Sequence, residues 1–259
     1  MIEFLSALPI LWILIISAVL ITGAAEIGSR IGLHSYRASN DSRDVGTLAA
    51  AALGLLALLI GFSFAMAVDR YESRRNAILE EANAIGSTAN FTLMLPREAQ
   101  KPILDLLREY TQVRIGLGLP HDPEKQQRDI NRSVELQSQL WRHAVAAATA
   151  APQSLPTNQF VSNLNELNNV HERRLTALRN NVPLVILLML VMTSMVAMGF
   201  TGYNEGITGV RRHMANALMS LTIAILIATV IDLNRPTRGL ILVSTQALVD
   251  TAENLPRGD

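Results

Sequence analysis

Four stretches of the chain carry no charged residue: Phe4 to Ala25, Val45 to Val68, Asn180 to Asn204 and, somewhat shorter, Met214 to Ile231. A helix crossing the hydrocarbon core needs about 20 such residues. The pattern predicts spanning helices at about 5–25, 46–68, 182–203 and 213–231, in two pairs (4–68 and 182–232). The first run also has a rival reading as a secretory leader, with Gly23-Ala24-Ala25 as the cleavage site. A leader wants a positive start, and the only charged side chain before this run is Glu3, so a retained helix is expected.

Between the pairs, residues 69–181 read as helices broken at Leu95-Pro96, Leu119-Pro120 and Ala151-Pro152. After Val68 there is no Pro or Gly until Gly86, so the second span should continue as one helix. Ile78, Ala82, Ile85 and Ala89 make an apolar seam along that continuation. Phe160, Leu164, Leu167, His171, Leu175, Leu178 and Val182 make a second seam, which predicts a helix entering the third span without a joint. Ile103 to Leu117 and Ile130 to Val145 read as two shorter amphipathic helices. The expected fold is an all-α membrane protein: four transmembrane helices, a helical bundle (69–181) inserted between the second and third, and a C-terminal helix and tail (233–259).

Composition agrees, because only 17% of the 259 residues are charged, against roughly a quarter in a soluble domain. Formal net charge is zero and cysteine is absent, which gives no motive for nucleic-acid binding and excludes disulfides and thiolate chemistry. Arginine distribution sets the expected orientation. Arg70, Arg74, Arg75, Arg173, Arg174, Arg179, Arg235 and Arg238 flank one side of the spans; Arg30, Arg37, Arg43, Arg211 and Arg212 lie on the other. This bias places both termini and the inserted bundle in the cytoplasm. No phosphate-binding glycine loop, nucleophile elbow or His-Glu-x-x-His occurs, so the chain reads as a non-enzyme with no cofactor or metal.

A few positions carry candidate chemistry. Ala50, Gly54, Ala57, Gly61 and Ala65 form a small-residue stripe on the second span, suited to close helix packing in lipid or to lining an oligomer axis. Phe62 and Met66 flank it as candidates for a hydrophobic constriction. Asp69, Arg70, Asp232 and Arg235 sit at one predicted depth and could form an interfacial charge girdle. His171 occupies a slot in an apolar seam, where a pH sensor or a hydrogen-bonded structural histidine would fit.

Several segments together resemble a family. Gly54-Leu-Leu-Ala-Leu-Leu-Ile-Gly-Phe-Ser-Phe-Ala-Met-Ala-Val-Asp69-Arg70-Tyr71, followed by Arg74-Arg75 and Glu80-Glu81-Ala-Asn-Ala-Ile-Gly86, is similar to a bestrophin-like family of bacterial membrane proteins of unknown function. Ala25-Glu26-Ile-Gly28-Ser-Arg30-Ile-Gly32, Leu106-Leu-Arg-Glu-Tyr110 and Asp232-Leu-Asn-Arg-Pro-Thr-Arg-Gly239 carry the same resemblance. It implies kinship with bestrophins, which are pentameric anion channels with cytoplasmic termini and a second span lining the pore. The acidic cluster and Asn-Pro-Phe-Gly type motif of animal bestrophins are absent. The expectation is a homo-oligomeric ion channel, pentameric by the resemblance, in a bacterial inner membrane. The alternative is a non-conducting scaffold or sensor whose bundle binds a protein partner.

Overall fold

The computed structural model describes residues 9–39, 45–118, 123–210, 212–236 and 238–257. Residues 4–8 of the first span, the Leu119-Pro120 break, and Arg43 and Arg211 of the charge count lie outside them. The described residues form α1 (Ile10–Ser39), α2 (Gly46–Thr92), α3 (Arg97–Gly116), α4 (Pro123–Ala150), α5 (Leu155–Arg179), α6 (Leu184–Thr208), α7 (His213–Leu233) and α8 (Gln246–Asn254). Among the described residues, four helical segments are long and apolar enough to cross a membrane, and each contains most of one of the four uncharged stretches. At 47 residues α2 is about 70 Å long, more than twice the hydrocarbon thickness, so only its uncharged first part is the span.

The chain divides into two compact units, residues 1–70 with 181–241 and residues 71–180 with 242–259. In the first, α1 lies along α6, and glycines set how closely. A methyl group on Gly28 would overlap the Gly199 carbonyl, one on Gly32 the Tyr203 carbonyl, one on Gly202 the Ala25 carbonyl and one on Gly206 the Ser29 carbonyl. Gly28 and Gly32, like Gly202 and Gly206, are four apart, so each pair presents one smooth helix face on which backbones touch. Around this contact Ile21, Leu56, Leu190, Met198, Ile223 and Ile227 form the unit's apolar core.

The second unit packs by large side chains instead. Ile78, Ala82, Ile85 and Ala89 of α2 are buried as the seam predicts, and Phe160, Leu164 and Leu167 of α5 are buried with them. Leu104 and Leu107 of α3, Leu136 and Leu140 of α4, and Leu248 of α8 complete the core.

The expected unjointed passage from α5 into the third span does not form. The helix ends at Arg179, Asn180 is extended (φ −81°, ψ 107°), and α6 starts after Pro183. Proline has no N–H for the helix ladder, and it pushes Val182 away from helical angles. The seam's side-chain pattern runs through the site, but the backbone cannot. Arg74 donates to the freed carbonyls of Ala177 and Asn180, both at 3.4 Å. In the first unit, Asn234 Oδ1 accepts from the Val182 N–H at 2.6 Å.

Candidate functional site

Within the first unit, α2 turns one seam to its own chain: Ala49, Leu56, Ser63 and Ala67 are buried. Gly54, Ala57, Gly61 and Ala65 lie on the opposite side and are exposed. A methyl group on Gly54 or Gly61 would meet nothing within 4 Å. Among the described residues the small stripe therefore packs against no helix of its own chain; that task falls to the glycines of α1 and α6. Beside the stripe, Phe62 is 65% exposed and Met66 half-buried, with Leu55 and Leu58 also open. Only 17% of the most apolar window of α2 is buried, so most of this surface must face lipid or another molecule.

The four proposed girdle residues take two different roles. Asp69 is exposed and pairs with its neighbour Arg70 at 3.5 Å. Asp232 is buried, and its carboxylate accepts the backbone N–H groups of Leu240 (3.0 Å) and Ile241 (2.9 Å). Gly239, at φ 127°, makes that turn, and any Cβ there would collide with the Asp232 carboxylate. Asp232 thus fastens the chain leaving α7. Burial pulls the Arg235 guanidinium below its usual range against the opposing charge of Asp232.

A second group lies wholly within the other unit, outside the spanning parts of the chain. Glu81 of α2 is fully buried, and three side chains converge on its carboxylate. Tyr110 donates its hydroxyl to Oε1 at 2.8 Å, Arg114 Nε approaches Oε1 at 2.6 Å, and Arg174 Nη1 donates to Oε2. The Arg114 contact is an ion pair whose N–H does not point along the hydrogen-bond direction. Arg174 Nη2 donates to the Arg114 carbonyl at 3.0 Å, near the end of α3. His171 Nδ1 lies 3.0 Å from the Tyr110 oxygen. An ionised Glu81 can only accept, so Tyr110 donates to it and must accept from His171. That places the imidazole proton on Nδ1.

Burial alone would raise the Glu81 carboxyl, but the charges of Arg114 and Arg174 and its hydrogen bonds overcome this and hold it below the usual range. Burial, with Glu81 beside it, pushes the Tyr110 phenol well up, so it stays neutral. Burial lowers Arg174, against the attraction of Glu81. Burial and the charge of Arg114 take His171 down to about 4, so it is uncharged at neutral pH.

The bestrophin-like domain matches the chain over residues 10–248. This protein belongs to the bestrophin-like family. Its fold is similar to crystal structures of a bacterial bestrophin homologue from Klebsiella pneumoniae. One single-substitution variant has a TM-score of 0.68 at 16% identity, covering 91% of this chain and 96% of that one. A second structure, phased on zinc, gives 0.67 at 15%, covering 95% and 100%. No protein of curated function matches at a significant level. At these identities the likeness concerns the fold alone.

Within this bestrophin-like chain, the pattern reading found His171 but not the group around it. The signal was present: buried Ile103, Leu107, Tyr110 and Arg114 follow one face of α3, so an arginine fills the next core slot. Arg174 likewise falls one turn after His171 on the buried face of α5. Arg174 enters the sequence reading only among the arginines that flank the spans, and Arg114 not at all, because arginine is seldom fully buried unless paired and the partner on α2 is 93 residues away from Arg174 in sequence.

Proposed function

We propose that this bestrophin-like protein is a homo-oligomeric ion channel of a bacterial inner membrane, with the open face of α2 directed toward the axis between copies. Family membership and the fold shared with bacterial bestrophin homologues support this reading. The observation that carries it is the two-sidedness of α2, one seam buried in its own chain and the opposite Gly54–Ala65 stripe unpartnered. Small residues there let neighbouring copies approach. Phe62 and Met66 then converge as a narrow apolar neck, where an ion loses hydration without gaining ligands. Anions are the expected permeant class, from kinship with bestrophins, and the subunit number expected from it is five. The arginine bias supports cytoplasmic termini and a cytoplasmic 69–181 segment.

Purified protein in planar bilayers under asymmetric chloride tests the proposal. Phe62→Ala widens and wets the neck, so its current should exceed that of wild type. Absence of current from both, with intact oligomers, would leave the non-conducting scaffold, whose bundle binds a protein partner.

A further inference from the structure

The Glu81 cluster carries a surplus positive charge that none of its own members can remove. Arg114 and Arg174 are 0% and 2% exposed, and they face one carboxylate, Glu81. Arginine keeps its charge at any pH a cell reaches. Tyr110 cannot supply a phenolate, because its own environment holds the proton on. Neutral His171 adds nothing to either side. The total is two positive charges against one negative in a place closed to solvent.

The hydrogen-bond inventory locates the surplus. Arg174 reaches both Glu81 and the Arg114 carbonyl. Arg114 has its Nη1 and Nη2 buried with no acceptor, while its Nε merely approaches Glu81. Four N–H groups of one guanidinium are thus aimed into the interior unsatisfied. The C-terminal carbonyls of α3 supply about half a negative charge, spread over several oxygens, and offset the excess only in part. A buried unpaired charge is strongly unfavourable, and proteins avoid it by supplying a counter-ion.

We propose that the Arg114 guanidinium holds a small monovalent anion of halide size inside this helical unit. Such an ion accepts from Nη1 and Nη2 and brings the cluster to neutrality. His171 Nε2 is not one of its donors, because the proton of that ring sits on Nδ1. The site is distinct from the α2 constriction and holds whether or not the protein conducts, since it serves to complete a core.

Crystals of the full-length wild-type protein grown in sodium bromide test this without any variant. Anomalous density within hydrogen-bond distance of the Arg114 guanidinium is expected. Density there that refines as an ordered water only, or none, overturns the proposal. In solution, replacing gluconate by bromide or chloride at constant ionic strength should raise Tm saturably, by about 5 °C at a hundredfold excess over Kd. Arg114→Gln should abolish that halide-dependent rise whatever its basal Tm. An equal rise in wild type and Arg114→Gln would place the halide effect elsewhere and also refute the assignment.

Discussion

The two units of this chain solve the packing of helices in opposite ways. Where α1 meets α6, side chains are removed: Gly28, Gly32, Gly202 and Gly206 bring backbone against backbone. In the second unit, side chains fill the space: Phe160, Leu164, Leu107, Leu136 and Leu140 form one core with Tyr110, which bonds the buried Glu81. On the proposed topology, with the second unit in water, the difference follows from solvent. Lipid tails are as apolar as leucine, so burying leucine between spanning helices gains little, and close van der Waals approach has to hold them together. A bundle that packs in water gains about 25 cal/mol for each Å² of apolar surface it hides, and large residues hide the most. The exposed sides agree, since the spans display Leu11, Val19, Phe62, Val185 and Met192 outward.

The sharpest way to break this contrast is to add atoms where the first unit omits them. Gly202→Leu should cost more than about 3 kcal/mol and abolish the folded spanning unit, because backbone rather than a movable side chain stands in the way. Gly54→Leu, with nothing within 4 Å, should leave the stability of an isolated chain unchanged. Denaturant titration of both in detergent, under conditions that separate copies, checks the pair. Equal losses would mean that glycine spacing does not distinguish the two faces.

In the second unit the corresponding change removes charge. Glu81→Gln leaves two buried arginines without their carboxylate and should cost about 3–5 kcal/mol in thermal or chemical melts. A loss under about 1 kcal/mol would mean that the cluster is wet and its ions are already screened.

These two sets of residues differ in how legible they were. The spans, the Ile78–Ala89 seam and the apolar part of the α5 seam follow from charge-free length and helical spacing, which are local properties. The Gly28/Gly32 contact was not readable as packing, because a glycine pair on one helix names no partner until α6 is seen beside it. The Gly54–Ala65 stripe reads, for the same reason, as suited either to helix packing or to an oligomer axis, and among the described residues its own chain leaves it open. Leu56, across the helix from that stripe, is core at 2% exposure. Pro183 was legible in principle, since proline stops a helix whatever the side-chain seam does.

A smaller effect sharpens the picture of the cluster. His171 has a pKa of about 4 in the folded chain against 6.5 when unfolded. Between these values the unfolded chain binds a proton that the folded one does not, so stability is full above about pH 6.5 and falls as pH drops toward 4. The loss should reach at most about 3 kcal/mol. Glu81, held below 4.5, contributes only further down, so melts from pH 7 to 4.5 isolate the histidine from it. Tyr110 stays neutral and both arginines stay charged throughout. His171→Asn should flatten the slope in that window, and an unchanged slope would assign it to other groups.

The central claim is that the face of α2 turned from its own chain is where copies converge. The chain contains no cysteine, so single cysteines report without background. In native membranes under mild oxidation, Phe62→Cys should form disulfide-linked dimers, whereas Leu56→Cys, buried in its own chain, should not. If Phe62→Cys stays monomeric while reacting readily with a lipid-soluble maleimide, that face points into the bilayer and the account fails.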